Sequence, residues 1–494
     1  GAVVCSDLTK ETLDFVDSRI KRPAYYWWNF PVTDYARHII MQGPVYGLET
    51  DLTAEQTCGV LSNPMEHGEA SKLALYGVAD YNWNVSAYNA IDNWERSLVD
   101  VTPEAHDAYR TFAIHSCDTE TGYRRIESWE TKTFRLADYN KKDYDNLYAE
   151  FDRVEKAPAI MERDCKNALL MKELRPWLAE FKKLGTRGKN TLTLMSQFKD
   201  GKYEAFWNGY ISNRMSTADM AAYQAHKSGT MKLQPFYENG MDDMAVEFFK
   251  KVAGKTPAFY KGVGTYKSLG TTQNKLMLDN DSTTFYHSGA SQNTGDWIGL
   301  DLGAVRPVRE VRILQGRNSV DDVDYFDNVI VEASADGKTW TPLTGELQKT
   351  YIINWKGNPV EARYVRMRKL QSEKKSWCAV REFVVNPVNP ENLAFKVESA
   401  DMLGAMNCFD ENPCSSFKSE GSLAFGVEKG TKSYTMLVNL PKAGGVVLKQ
   451  YNKKGKLVAS TPIEGNMAKV NVDANAVKCQ LEGAVEVFEI VSNK

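Results

Sequence analysis

Residues 24–35 read Ala-Tyr-Tyr-Trp-Trp-Asn-Phe-Pro-Val-Thr-Asp-Tyr. The apolar run up to Trp28 has the composition of a buried strand. Asn29 and Asp34 follow where a strand gives way to a loop, the end at which parallel α/β folds place their chemistry. Residues 1 to about 95 extend this pattern. An amphipathic helix is predicted over 9–20, with Leu13, Val16 and Ile20 on one face. Strands are predicted over 23–28 and 59–63, a helix over 64–77, and a third short strand over 81–84. Alternation of this kind predicts a parallel sheet or barrel. Because the aromatic run begins only 24 residues into the sequence, a barrel containing it is expected to have most of its strands elsewhere.

The rest of the chain changes character twice. Residues 96–254 are dense in charge, with apolar residues at helical spacing: Leu147, Phe151 and Val154, then Leu170, Leu174, Trp177, Leu178 and Phe181. These spacings predict a helical bundle, with further helices over 191–206 and 216–227. Residues 255–388 read as short strands separated by Gly, Asp, Asn and Pro, over 297–302, 308–315, 328–333, 364–369 and 382–385, with Asp336-Gly337 set for a tight hairpin. Asn386-Pro-Val-Asn-Pro-Glu-Asn392 reads as a linker. Residues 393–494 are again β-rich. Phe409-Asp-Glu-Asn-Pro-Cys-Ser-Ser-Phe417 echoes Leu278-Asp-Asn-Asp-Ser-Thr-Thr-Phe285, and Phe488-Glu-Ile-Val491 echoes Arg381-Glu-Phe-Val-Val385, so a second, degenerate repeat is expected.

Composition bounds the function. At 494 residues with 43% hydrophobic residues, several domains can each bury a core. A net charge of −3 argues against a nucleic-acid partner, which needs clustered Lys and Arg. No apolar run is long enough to span a bilayer. The eight cysteines have no metal-ligand spacing; Cys408 and Cys414 are the only near neighbours, with free thiols the default and a local disulfide the alternative.

Candidate site residues cluster at the first-regime strand ends. Asn29, Asp34 and Asn63 are hydrogen-bonding side chains beside Trp27, and an aromatic wall with polar amide and carboxylate groups is what sugar recognition requires. Each has a plainer reading too. Asn63, followed by Pro64 and by Glu66 three residues on, fits a helix N-cap. Asp34 fits the cap of a helix starting near Tyr35, and the tryptophans fit a core.

Taken together, Trp27-Trp28-Asn29-Phe30-Pro31-Val32-Thr33-Asp34-Tyr35, Gly43-Pro44-Val45-Tyr46-Gly47, Ser62-Asn63-Pro64-Met65, 69–77 and Asp80-Tyr81-Asn82-Trp83-Asn84 resemble glycoside hydrolase family 84, the β-N-acetylglucosaminidases that include O-GlcNAcases and hyaluronidase-like enzymes. The resemblance implies the C-terminal part of a TIM (β/α)8 barrel over 1–95, followed by the helical domain. It implies that Asp34 binds the 4- and 6-hydroxyls of N-acetylglucosamine and Asn63 another hydroxyl. Trp27 would wall the acetamido pocket, Asn29 would orient the acetamido group or a catalytic carboxylate, and Tyr35 would lie at the pocket edge. Family chemistry is retaining and assisted by the substrate's own acetamido oxygen, with two adjacent aspartates moving protons. That pair is expected upstream of Trp27. Asp242-Asp243 and Asp321-Asp322 are the adjacent aspartates here, and both fall outside the barrel region. The chain alone is therefore expected to lack activity, with the N-terminal part of the enzyme as a further partner.

Residues 279–285, 297–303, 334–340 and Arg381-Glu382-Phe383 resemble the discoidin (factor 5/8 C-type) β-sandwich. This implies a carbohydrate-binding module, with Tyr286, His287 and Trp377 as sugar contacts and Asp279 and Asp281 as ligands of a structural calcium. No cofactor is expected for catalysis. The implied partners are N-acetylglucosamine-containing glycans or glycoproteins, and the implied location is secreted, periplasmic or cell-surface. Two rival readings stay open: a non-catalytic carbohydrate-binding or adhesion protein, and a scaffold whose helical domain carries partner contacts.

Overall fold

The computed structural model describes residues 7–34, 36–53, 55–116, 135–230, 232–441 and 444–494. They fall into two compact units, one of residues 1–200 and 212–241 and one of residues 201–211 and 242–494.

In the first unit, Thr9 caps helix α1 (Lys10–Ile20) through its side chain, and Leu13 is the residue that this helix buries. Strands β1 (Ala24–Pro31) and β2 (Thr57–Asn63) pair in parallel, with Trp27 opposite Leu61 and Pro31 opposite Asn63. They are followed by α2 (Lys72–Trp83), α3 (Ala90–Val101), α4 (His106–His115), α5 (Lys141–Asp164) and α6 (Ala168–Lys199). Further on come α7 (Tyr203–Asn213), most of whose residues belong to the second unit, α8 (Thr217–Ala225), and α9 (Gln234–Ala253), which starts in the first unit and ends in the second. Asn140 and Asn167 cap α5 and α6, and a reciprocal Ser216–Asp219 capping box opens α8.

The α5 and α6 faces meet through Leu147, Phe151, Val154 and Met161 on one helix and Leu174, Leu178, Phe181 and Leu184 on the other, at the spacing of one helical stripe. Glycines set the approach. A Cβ at Gly185 would lie 2.4 Å from the Glu155 backbone nitrogen, and one at Gly188 would lie 2.2 Å from the Phe151 ring.

Several local expectations change. The third strand over 81–84 is absent, because this segment closes α2. The helix over 64–77 starts later, at Lys72. The helix over 191–206 is the end of the 32-residue α6 and the start of α7, separated at Gly201, whose φ of 74° only glycine adopts readily. Strand β1 is also less buried than its apolar sequence suggests. Trp28 and Phe30 are covered, while Tyr25 (62% exposed) and Trp27 (65% exposed) lie on an open face. The parallel sheet has two strands among the described residues.

In the second unit, strands β3 (Lys261–Gly264), β4 (Tyr286–His287), β5 (Trp297–Gln315), β6 (Asn328–Ser334), β7 (Thr341–Pro342), β8 (Leu347–Gln348), β9 (Ile352–Lys369) and β10 (Ala379–Val385) form one antiparallel sheet. The segments expected over 297–302 and 308–315 are halves of one 19-residue strand, irregular between Asp301 and Arg306. Its two halves and those of β9 fold around a shared core that includes Ile298, Leu300, Val311, Ile313, Val365 and Met367, making a discoidin-like sandwich. Asp336-Gly337 does turn a hairpin, with Asp336 accepting the Lys338 and Thr339 amides at 2.8 Å.

Residues beyond the linker form β11 (Val397–Glu398), α10 (Met402–Ala405), β12 (Phe417–Ser419), β13 (Ser422–Gly426), β14 (Ser433–Asn439), β15 (Val447–Tyr451), β16 (Leu457–Pro462), β17 (Met467–Asn471), β18 (Lys478–Glu482) and β19 (Val485–Asn493). A five-stranded sheet (β11-β13-β18-β15-β16) and a four-stranded sheet (β12-β19-β14-β17) enclose a core of Leu423, Met436, Leu448, Leu481 and Val487. Cys408 and Cys414 are both free thiols.

Candidate functional site

The ends of β1 and β2 are level, and their side chains interlock. Asn29 Oδ1 accepts the Trp27 indole N–H at 2.7 Å and the Asn63 amide at 3.1 Å. The Val32 amide donates to the Asn63 carbonyl at 2.9 Å, and Ser62 Oγ donates to the Phe30 carbonyl at 2.5 Å. One amide oxygen thus fixes both the indole edge and the neighbouring strand's amide. The result is an aromatic face beside converging polar groups at the C-terminal end of a parallel pair.

The loop after β1 carries a buried polar network. Gln42, fully buried, donates to the Met41 and Ala70 carbonyls at 2.6 and 2.8 Å and accepts from the Tyr109 hydroxyl. The Trp94 indole donates to the Gln42 carbonyl at 2.8 Å, and the Ile40 amide to Ser228 Oγ at 2.8 Å. Every partner is satisfied locally, so the loop after β1 is held in one arrangement. The loop after β2 is held as well: Glu173 accepts the Glu69 and Ala70 amides at 3.3 and 2.9 Å.

Asn63 is the last residue of β2, and α2 opens at Ser71–Lys72, so Asn63 is not a helix cap. No helix follows Asp34 among the described residues up to 53, so Asp34 caps none; its side chain is exposed. Trp27 is a surface wall rather than core. Tyr35 lies outside the described residues.

One aspartate of each adjacent pair does structural work. Asp242 lies within α9 and pairs with Lys275 at 3.2 Å. Asp322 accepts the Arg317 backbone amide and the Asp324 amide in its loop.

A second cluster lies on the discoidin-like sandwich. The His287 and Trp377 rings pack with centroids 4.6 Å apart, Asp324 lies 3.6 Å from His287 Nε2, and Arg317 reaches Asp324 at 2.5 Å. Trp377 is 48% exposed. An exposed indole beside cationic and anionic groups suits a sugar's mixed surface. Tyr286 is fully buried and bonds Ser268 at 2.7 Å, so it is not a contact. Arg317 and Asp324 escaped the sequence reading, because they lie in an irregular loop that only the fold brings to His287.

The loop 279–285 meets Glu382 of β10. Burial, followed by the charges of Asp279 and Asp281, pushes the Glu382 carboxyl up to about 7, and both of its oxygens are buried with no side-chain donor. Burial also raises Asp279. Two carboxylates sharing a dry site suit a hard cation with oxygen ligands. Asp281 differs: its Oδ1 accepts from the Thr283 amide and hydroxyl at 2.9 and 2.6 Å, so its side chain shapes the turn. Glu382 was visible in the sequence only as part of the domain's closing strand.

Residues 1–114 match the β-N-acetylglucosaminidase family model, residues 128–241 the model of the bacterial glycoside hydrolase family 84 post-catalytic domain, and residues 264–383 the F5/8 type C domain. Two segments of the chain therefore match family 84 glycoside hydrolases. Among solved structures, a family 84 protein is 23% identical over 48% of this chain and 43% of its own, with a TM-score of 0.43. A mutant of the O-GlcNAc hydrolase of Thermobaculum terrenum is 21% identical over 51% of this chain and 56% of its own, with a TM-score of 0.45. A Clostridium perfringens module solved with GalNAc-β-1,3-galactose is 17% identical over 26% of this chain and 94% of its own, with a TM-score of 0.22. This chain spans about half the length of the two hydrolase structures. The family 84 segments cover the strand-end wall and the α5–α6 bundle, and the F5/8 segment covers the His287 cluster and the Asp279–Glu382 pair.

Proposed function

We propose that this chain is part of a retaining β-N-acetylglucosaminidase that removes terminal β-linked N-acetylglucosamine from glycans or glycoproteins. The observation that carries this reading is the Asn29 carbonyl, which holds Trp27 and Asn63 together at the ends of β1 and β2 inside the segment matching the β-N-acetylglucosaminidase model. In this reading β1 and β2 are strands of a (β/α)8 barrel. Trp27 walls the acetamido pocket, Asn29 positions the acetamido group, and Asp34 and Asn63 bind ring hydroxyls. The substrate's acetamido oxygen attacks the anomeric carbon, and an aspartate pair outside these residues moves the protons. Asp242 and Asp322, being committed to structural contacts, support that division of labour.

The sandwich adds a glycan-binding surface at His287, Trp377 and Arg317, with a structural calcium between Asp279 and Glu382. The mixed glycosidase and carbohydrate-binding architecture suits a secreted, periplasmic or cell-surface enzyme, and no helix among the described residues is long and apolar enough to cross a membrane. The test is hydrolysis of a chromogenic β-N-acetylglucosaminide by the natural protein carrying these residues, as wild type, Asp34→Ala and Asp242→Asn. Loss confined to Asp34→Ala supports the reading. Full activity in Asp34→Ala overturns the pocket assignment, and sugar binding without cleavage by the wild type moves the protein to the adhesion reading.

A further inference from the structure

The loop 410–415 in the C-terminal β-domain repeats the loop 279–284 bond for bond, although the family models that match the chain do not extend to it. Asp279 Oδ2 accepts the Thr284 hydroxyl at 2.8 Å, and Asp410 Oδ2 accepts the Ser415 hydroxyl at 2.7 Å. Asp279 Oδ1 accepts the Asp281 amide at 3.0 Å, and Asp410 Oδ1 the Asn412 amide at 2.9 Å. Asp281 and Asn412 then accept the amides of Thr283 and Cys414 at 2.9 and 3.1 Å. Asn280 and Glu411 occupy the same left-handed conformation, with φ of 59° and 60°.

Each loop also faces a buried glutamate on the last strand of its domain. Glu489 of β19 takes the place of Glu382 of β10. It is 3% exposed, and its Oε2 meets no donor. The Glu411 main chain hydrogen-bonds to its carboxyl, so the side chain is aimed at the loop. Lys255, the nearby cation, is bonded to Glu411 Oε1 at 2.5 Å instead. An ionised carboxylate in such a place is costly unless a proton or a cation joins it.

We infer that the C-terminal β-domain holds a divalent, oxygen-preferring cation of the calcium type between Asp410 and Glu489. Oxygen chemistry decides the class. Asp410 and Glu489 both offer carboxylate oxygens, which a hard cation prefers. Among the described residues no group of three or more His, Cys, Asp and Glu side chains is placed to hold a metal. The remaining ligands are therefore main-chain carbonyls and water, which calcium accepts readily. The chain would then carry two cation sites of one design, each tying a loop to its domain's closing strand. This inference stands on the C-terminal domain's own residues and is independent of the glycosidase reading.

The test is calcium titration of the full chain after chelator treatment, by calorimetry and by thermal unfolding. Wild type is expected to bind two calcium equivalents, of which Glu489→Gln and Asp410→Asn each abolish one and Glu382→Gln abolishes the other. The calcium-dependent rise in Tm should shrink in the same variants. Terbium luminescence sensitised by nearby tyrosines, among them Tyr210, whose hydroxyl lies 3.3 Å from Cys414 Sγ, should lose in Glu489→Gln a component that Tyr210→Phe also loses. Calcium stoichiometry and terbium signal unchanged in a folded Glu489→Gln protein would overturn the inference and leave Glu489 as a buried protonated acid.

Discussion

Asn63 donates its side-chain amide to Asn29 at 3.1 Å across two parallel strands whose ends are level, and the same Asn29 oxygen holds the Trp27 indole at 2.7 Å. Three side chains from two strands thus behave as one unit. Asn29→Ala is expected to release both partners while leaving the backbone pairing intact. A hydrogen bond contributes about 1 kcal/mol, so losing two should lower kcat/KM for the proposed hydrolysis by roughly 10- to 100-fold. The Tm should move by only a few degrees. Steady-state kinetics beside a thermal melt checks this, and an unchanged kcat/KM would remove Asn29 from the site.

Trp377 gives a separable prediction for the sandwich. Its half-exposed ring packs on His287. Trp377→Ala should weaken binding of the chain to immobilised glycans at least several-fold without lowering Tm appreciably, because little core is removed. Retention on the glycan surface equal to wild type would refute the assignment.

Gly185 and Gly188 let α5 and α6 approach closely. Gly185→Ala would press a methyl group into the Glu155 backbone, which cannot rotate away, whereas Gly188→Ala would press on the Phe151 ring. Overpacking of this kind costs about 1–3 kcal/mol, offset in part by alanine's higher helix propensity. Both variants should lower Tm, Gly185→Ala by more, as calorimetry can establish.

Glu332 is buried between Arg366 and Arg368, accepting from them at 2.8 and 2.9 Å, while Arg366 also stacks over Trp340 at 3.7 Å. Glu332→Ala would leave two guanidinium groups together without their counter-charge. Breaking a buried pair from one side costs about 3–5 kcal/mol. A large loss of sandwich stability in denaturant melts is expected, and a change below about 1 kcal/mol would contradict the network's role.

Asp336 gives the pH prediction. The Thr339 and Lys338 amides and the Ser334 hydroxyl hold its carboxyl at about 2, below the ordinary 3.8. A depressed folded value means that its contribution is complete above about pH 4 and is lost as pH falls through 2. The protection of the Lys338 and Thr339 amides, relative to the intrinsic exchange rate at each pH, should fall over that window. Asp336→Ala should show the reduced protection already at neutral pH.

Much of the architecture was legible from local pattern. The 3.6-residue stripe of α5 and α6, the helices starting near Thr9 and Ser216, and the strand at 328–333 all follow from short-range rules. The errors were local as well. The 81–84 stretch has strand composition yet ends a helix that packs against β2. Asn63 has a cap's neighbours yet closes a strand, because Ser71 and the Glu173 carboxylate organise the start of α2.

By itself, the sequence determined the order of regimes, the family likeness of 1–114 and the identity of the aromatic wall, since composition and spacing are properties of neighbouring residues. Tertiary structure alone decided that Asn29 and Asn63 meet, that Arg317 joins His287, and that Glu382 and Glu489 face Asp279 and Asp410. Those partners lie 30 or more residues apart and meet only when pairing of distant strands, set by burial and register, brings them together.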